Sequence, residues 1–177
     1  MPPAKELANL LQLYALESGQ NLRGLRILDA GVGSGNRLIE LVRAFPDNTY
    51  TAIDFSEKSL AQARQKFADA SIRNVSFEQA NLEEPLTHLG EFDIVLCMGV
   101  LHHLQHPEKA LKNLSALCEP KSLLFFYVYG ELGSHERMRR KQILELLSAG
   151  ETGLDWFEWV KSCDFVDLPY GWANLGD

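Results

Sequence analysis

The spacing of hydrophobic and polar residues alternates between two patterns along the chain. Short stretches with the continuous or alternating apolar pattern of β-strands occur at 25–29, 50–54, 75–79, 93–98 and 122–128. The intervening stretches have apolar residues at helical spacing, and a helix is also predicted at 4–17. This alternation of strands and helices predicts an α/β fold with right-handed crossovers. The expected architecture is a doubly wound, mostly parallel sheet with helices on both faces.

Residues that favour helix ends occur where these helices are expected to begin. Ser56 is predicted to cap the helix after the second strand, because its hydroxyl can accept a backbone N–H. Pro107 suits the first turn of the helix before the fifth strand. The apolar face of that helix is predicted to extend to Leu117 and Cys118.

The turn after the first strand has glycine at every second position: Gly31, Gly33 and Gly35. Glycine permits positive φ and close approach of a ligand to the backbone, and the helix that follows directs free N–H groups at the same place. Asn36 stands where a dinucleotide-binding turn has its third glycine, which disfavours a pyrophosphate ligand. Asp29, just before the turn, fits a ligand with a cationic amine better than a pyrophosphate.

An acidic residue, Asp54, ends the second predicted strand. A carboxylate there can accept hydrogen bonds from both hydroxyls of a ribose. Phe55 follows and is placed to lie against an adenine face. The alternative is an aspartate that only caps the next helix. An adenosine ligand alone would not separate a nicotinamide dinucleotide from S-adenosyl-L-methionine.

A further segment, 97–104, begins at the end of the fourth predicted strand and continues into the loop after it. Taken with Asp29 and the glycine turn, it makes the chain resemble the class I S-adenosylmethionine-dependent methyltransferases, especially the small-molecule and ubiquinone-biosynthesis-like branch. The resemblance covers about residues 22–130 and rests on segments 27–35, 52–56, 79–82 and 92–104. It implies a Rossmann-like fold and transfer of a methyl group to an O, N, C or S nucleophile of a small-molecule acceptor.

The resemblance also implies which residues bind the cofactor. The turn from Gly31 to Gly35 would hold the methionine part, with Asp29 near the ammonium group. Met98 and the neighbouring backbone would close around the sulfonium end.

The adenosine part would be bound by residues that follow the second and third strands. Asp54 would take the ribose hydroxyls and Phe55 the adenine face, while Asn81 and Leu82 would meet the adenine edge. The family usually has aspartate at the position of Asn81. The amide oxygen can still accept from the adenine amine, so we expect binding to persist.

Three histidines, His102, His103 and His106, follow the fourth strand. His103 is the candidate general base, although methyl transfer needs no universal catalytic residue. The alternative is a loop histidine that only positions the turn. Adjacent histidines in such a loop point apart and no carboxylate pattern completes a site, so we predict no metal.

Composition narrows the cellular setting. The chain has 177 residues, which suits one domain, and a net charge of −7, which weighs against a broad nucleic-acid surface. The cysteines Cys97, Cys118 and Cys163 are far apart and predict reduced thiols in the cytoplasm. Since no apolar run approaches the ~20 residues of a membrane span, we expect no membrane association.

The chain is predicted to comprise an N-terminal helix (1–20), a cofactor-binding core (21–130) and a helical, aromatic-rich tail (131–177). The family's last two strands cannot be identified in the tail. Either the chain is a fragment of a longer protein, or the tail packs on the core, a partner or a second copy. The alternatives to a methyltransferase are a non-catalytic interaction domain of this fold and a nucleotide-dependent oxidoreductase.

Overall fold

The computed structural model describes residues 4–128. Strands and helices alternate as the hydrophobic pattern predicts. Their bounds are α1 (Ala4–Ser18), β1 (Arg26–Ala30), α2 (Asn36–Ala44), β2 (Thr49–Asp54), α3 (Glu57–Asp69), β3 (Val75–Gln79), β4 (Phe92–Met98), α4 (Pro107–Ser115) and β5 (Cys118–Tyr127). Single 3₁₀ turns at Thr87–Leu89 and Leu101–His103 lie before and after β4.

The strands form one five-stranded sheet in the order β3-β2-β1-β4-β5, and every pair in it is parallel. The chain moves outward from β1 to β3, then returns to the other side of β1 as β4. This reversal leaves a crevice at the carboxyl ends of β1 and β4, where ligands of such folds bind. The predicted α/β, Rossmann-like architecture is confirmed.

Both faces of the sheet are covered, which explains the continuous apolar runs of the central strands. Ile27 of β1 packs in a core with α1, α2 and α3, and its neighbour Leu28 packs in the opposite core with α4. Leu7 and Leu11 attach α1 to the first of these cores. The N-terminal helix is therefore built into the hydrophobic core of the fold.

The predicted helix signals operate in the structure. The Ser56 hydroxyl accepts the Ser59 N–H at 3.3 Å and caps α3. Gly35 precedes α2 in the left-handed region, with φ of 76°. Pro107 occupies the first turn of α4, as expected.

The start of β5 corrects one sequence interpretation. We placed Leu117 and Cys118 on the apolar face of α4 and began the strand at 122, whereas α4 ends at Ser115 and β5 begins at Cys118. The Phe92 N–H donates to the Leu117 carbonyl at 2.9 Å, which brings the chain into the sheet early. The register of β4 and β5 is irregular between Phe92 and Ile94, a feature that hydrophobic periodicity does not reveal.

The predicted aromatic tail, 131–177, lies outside the described residues. Within the described part of the chain, no helix combines the length and apolar character needed to cross a bilayer.

Candidate cofactor site

Asp29 lies one residue before the end of β1, and its side chain is 1% exposed. Arg37, in the first turn of α2, places its Nη2 3.5 Å from Oδ1 of Asp29. Burial raises the pKa of Asp29, the positive charge of Arg37 opposes the rise, and Asp54 adds to it. The site thus contains a buried carboxylate with a cation beside it. Contact between Asp29 and an ammonium group stays a prediction.

The raised pKa of Asp29 predicts a pH dependence of stability. The folded protein retains the Asp29 proton at pH values where the unfolded chain, with a pKa near 3.8, has released it. The contribution of Asp29 to folding stability is therefore greatest below the unfolded pKa of 3.8. It decreases as pH rises above that value and is lost once pH has passed the folded pKa. We expect the wild type to lose stability relative to Asp29→Asn as pH rises through this window, with a slope of at most about 1.4 kcal/mol per pH unit. Urea unfolding of both proteins across the acidic range measures it, and a stability difference independent of pH would contradict it.

The three glycines of the turn differ in what a side chain at each position would contact. A Cβ on Gly31 would lie 2.2 Å from Cγ2 of Val100, and φ of Gly31 is +88°. A Cβ on Gly35 would lie 3.1 Å from Phe67 of α3, so Gly35 serves helix packing. Gly33 has φ of +55° and open space where a Cβ would be. Among the three, Gly33 is the glycine that faces room for a ligand.

Contacts from two other elements hold this turn in place. The N–H groups of Gly31 and Val32 donate to the Ile53 carbonyl of β2 at 2.8 and 3.1 Å. Lys66 of α3 donates from Nζ to the Ser34 carbonyl at 2.8 Å and also contacts Asn36 Oδ1. The turn is consequently shaped before any ligand arrives.

Asp54 joins the glycine turn to the loop after β2. Its Oδ2 accepts the Gly33 N–H at 2.8 Å and its Oδ1 accepts the Ser56 N–H at 2.9 Å. Each carboxylate oxygen can accept more than one hydrogen bond, so both keep capacity for the hydroxyls of a diol. Phe55, the next residue, is 73% exposed, and its carbonyl accepts from Gln79 Nε2 at 2.9 Å. An exposed ring on a held backbone suits stacking against a flat ligand.

The segment after β3 is ordered by its own polar groups. Oδ1 of Asn81 accepts the Glu83 N–H at 3.0 Å, so the amide oxygen that we expected at the adenine edge already supports a local turn. Leu82 is 5% exposed and packs in the core beside α4. Asn113 of α4 donates to the Leu82 carbonyl at 2.9 Å. The Leu82 side chain therefore belongs to the core, and contact of Asn81 and Leu82 with an adenine edge stays a prediction.

Met98 ends β4, and its side chain is 1% exposed in the core beside α1, α2 and α3. Met98 is thus enclosed in the core, and closure of this position and the neighbouring backbone around a sulfonium stays a prediction. Cys97 points to the opposite core, where burial raises its pKa to about 12. A thiol with that pKa is no nucleophile at neutral pH.

The histidines follow β4 in a 3₁₀ turn, with His102 half-buried and His103 exposed. Their ring centroids are 4.1 Å apart, so the expectation that these adjacent histidines point apart is wrong. His106 donates its backbone N–H to Glu83 Oε1 at 2.6 Å, which joins this loop to the one after β3. Among residues 4–128, no three His, Cys, Asp or Glu side chains converge in a group able to hold a metal ion. The role of His103 as a base stays a prediction.

Two residues change the sequence-based view of the surroundings. The sequence suggests Tyr14, Tyr129 and Glu131 as residues that line the acceptor site. Tyr14 donates its hydroxyl to the Lys121 carbonyl at 3.3 Å. Lys121 lies toward the amino-terminal half of β5, away from the crevice, and the other two residues lie outside the described part of the chain. Arg37 was missed. A cation in the first turn of a helix, where the dipole disfavours it, is the signal that could have indicated it.

The geometry fits an adenosyl amino acid. Open space over Gly33 lies beside a carboxylate with spare acceptor capacity, Asp54, and next to an exposed aromatic ring. The buried Asp29 and its partner Arg37 lie at the same edge of the sheet.

Comparison with known proteins agrees with this geometry. A family model described as a methyltransferase domain matches residues 28–124. The chain belongs to the class I S-adenosylmethionine-dependent methyltransferases. It is 32% identical over 152 residues to a ubiquinone biosynthesis O-methyltransferase of Aromatoleum aromaticum. The aligned region covers 80% of this chain and 61% of that protein. The chain thus spans less than two thirds of the length of this curated relative.

Solved structures show the same fold. PKMT2 from Rickettsia typhi superposes with a TM-score of 0.66 at 22% identity, covering 80% of this chain and 28% of that one. The N-terminal domain of EvdMO1 with S-adenosylhomocysteine bound gives a TM-score of 0.55 at 25% identity, over 68% of this chain and 48% of that one. The cofactor of the family, S-adenosylmethionine, is consistent with the residues at the carboxyl ends of the strands.

Proposed function

We propose that this chain binds S-adenosylmethionine in the crevice above β1, β2 and β4 and transfers its methyl group to a small-molecule acceptor. The observation that carries the proposal is the arrangement of Asp54, which accepts the Gly33 N–H at 2.8 Å beside the open space over that glycine. This arrangement offers a backbone without a side chain for the methionine end and a carboxylate for the ribose.

The bound cofactor supplies an activated methyl group on a sulfonium sulfur. The task of the protein is to hold the acceptor in line with that methyl and to exclude water, and this positioning alone provides a large part of such a rate enhancement. Asp54 fixes the ribose, and the glycine turn fixes the amino-acid end. Where the nucleophile carries a proton, exposed His103 is the group that takes it.

A phenolic hydroxyl is the first acceptor to test. The Aromatoleum relative is named for O-methylation in ubiquinone biosynthesis. The acceptor contacts are expected partly from residues beyond 128.

The experiment has two steps that use the full chain. Calorimetric titration with S-adenosylhomocysteine tests the site, and NADH serves as the control ligand. S-adenosylhomocysteine release is then measured with S-adenosylmethionine and a panel of phenols, amines and thiols. Binding together with acceptor-dependent release supports the proposal, and no binding at millimolar ligand contradicts it. Binding without release on any acceptor favours the non-catalytic interaction domain.

We propose a cytoplasmic location as well. Cys97 and Cys118 are both free thiols in the structure, and proteins of oxidising compartments rarely retain such thiols.

A further inference from the structure

The segment between β4 and α4, residues 99–106, carries the candidate base His103 and is held at its far end by a side chain from another loop. His106 precedes α4 as its N-cap, and its backbone N–H donates to Oε1 of Glu83 at 2.6 Å. Glu83 belongs to the loop after β3. The positive end of the α4 dipole makes this a favourable place for a carboxylate.

The sequence of α4 does not supply this acceptor itself. In a capping box, the third residue of the helix is glutamate or glutamine, and its side chain accepts the N–H of the N-cap residue. The third residue of α4 is Lys109, whose ammonium can only donate. Lys109 instead donates to Oε1 of Glu84 at 3.5 Å. Glu83 therefore takes the place of the capping-box glutamate from a loop 23 residues earlier in the chain.

Further contacts join the loop after β3 to α4. Nδ2 of Asn113, in α4, donates to the carbonyl groups of Leu82 and Glu84 at 2.9 and 2.8 Å. The Leu82 side chain packs in the core beside the same helix. The loop and the helix therefore form one unit, and the hydrogen bond of Glu83 is the point at which this unit holds the segment 99–106.

The two ends of this connection lie close to both parts of the site. Glu83 lies two residues after Asn81, the predicted contact with the adenine edge, and its N–H donates to Asn81 Oδ1 at 3.0 Å. His106 lies three residues after His103, whose N–H donates to the Val100 carbonyl at 2.9 Å in the 3₁₀ turn. A ligand that orders the first loop would also order the turn, because one charge-assisted hydrogen bond joins them.

We propose that Glu83 is a positioning residue that transmits cofactor binding at the loop after β3 to the turn that carries His103. This inference rests on the cofactor site of the proposed function. Binding of the cofactor thereby places His103 for the acceptor, and by linkage the ordered turn favours cofactor binding.

The test is amide hydrogen exchange of the full 177-residue chain, followed by NMR with and without saturating S-adenosylhomocysteine. The Gly33 N–H, which donates to Asp54, reports on the ligand site. The His103 N–H reports on the turn, because it is exchanged only when its bond to the Val100 carbonyl opens.

The variants differ in whether they keep an acceptor for the N–H of His106. Glu83→Ala removes the acceptor, whereas Glu83→Gln keeps a side-chain oxygen that can take its place. The matched control is Glu84→Ala, since the exposed Glu84 side chain pairs with Lys109 at 3.5 Å. This control leaves the Glu84 carbonyl available to α4.

In the wild type, S-adenosylhomocysteine should slow exchange at both Gly33 and His103 by at least about 10-fold. In Glu83→Ala the ligand should still slow exchange at Gly33, but its effect at His103 should fall below about threefold. Glu83→Gln and Glu84→Ala should behave like the wild type. A purely structural role of Glu83 would change exchange in the free protein and leave the effect of the ligand at His103 intact.

Three results would overturn the inference. An equal effect of the ligand at His103 in Glu83→Ala and in the wild type would mean that the turn is ordered without Glu83. Loss of this effect in Glu84→Ala as well would mean that it is not specific to Glu83. Slower exchange at Gly33 without any change at His103 in the wild type would overturn it without a variant, so the test survives a variant that fails to fold. If the ligand changed neither amide of the wild type, the proposed cofactor site would itself be contradicted.

Discussion

Replacing Gly31 by alanine should destabilise the fold by about 2–5 kcal/mol, a large fraction of the stability of a domain of this size. The left-handed backbone at φ of +88° costs an L-residue about 1–2 kcal/mol. The new methyl would also lie 2.2 Å from Cγ2 of Val100, and overpacking of this kind costs about 1–3 kcal/mol. Chemical denaturation of the full chain measures the loss.

Gly33→Ala is the matched control because the backbone strain is similar and the space is different. A Cβ at Gly33 meets nothing within 4 Å, so only the backbone cost of about 1–2 kcal/mol applies. The methyl would instead fill the open space where we place the cofactor, and S-adenosylhomocysteine binding should weaken at least about 10-fold. Gly31→Ala should lose mainly stability and Gly33→Ala mainly binding, so equal stability losses in the two variants would contradict this assignment.

A double-variant cycle isolates the clash with Val100. Val100→Ala removes the methyl groups that the methyl introduced by Gly31→Ala would meet. The stability lost on Val100→Ala should therefore be at least about 1 kcal/mol smaller in the Gly31→Ala background than in the wild type. Strictly additive effects would show that strain in the backbone, and not the contact with Val100, explains the glycine.

The parts of the fold that sequence predicts best are those in which local pattern and burial agree. β4 lies in the interior of the sheet with helices on both faces, so its residues 94–98 form one apolar run. The Ser56 cap and the positive-φ glycines are local properties of the backbone and could be anticipated from residue type. The early start of β5 could not, because it depends on how Cys118 and Phe92 pair across the sheet.

In the site, too, local sequence predicts some features, whereas others depend on tertiary packing. Motif positions locate the loops correctly, but the direction of each side chain depends on which face of the sheet it occupies. Met98 at the end of β4 and Leu82 in the loop after β3 pack in the two opposite cores, which a motif does not reveal. The pair of Arg37 with Asp29 is visible only once the helix has been packed on the strand.

The second large effect is expected at Asp54. Asp54→Ala should weaken S-adenosylhomocysteine binding by about 100-fold or more, because hydrogen bonds to a charged acceptor contribute about 1.5–3 kcal/mol each and two ribose hydroxyls would lose theirs. The same change leaves the N–H groups of Gly33 and Ser56 without their acceptor at 2.8 and 2.9 Å, which loosens both loops of the site. Calorimetry measures the affinity, and circular dichroism shows whether the sheet is retained.

Asp54→Asn separates the two contributions. The amide keeps one oxygen that can accept from a backbone N–H, but it replaces the other acceptor by a donor, so binding should be intermediate between that of the wild type and Asp54→Ala. Asp47→Ala, before the amino-terminal end of β2, is the control because Asp47 is exposed and pairs with Arg23 at 3.6 Å. If Asp54→Ala bound S-adenosylhomocysteine about as tightly as the wild type, Asp54 would not bind the ribose. The carboxylate would then act only as a helix-capping group.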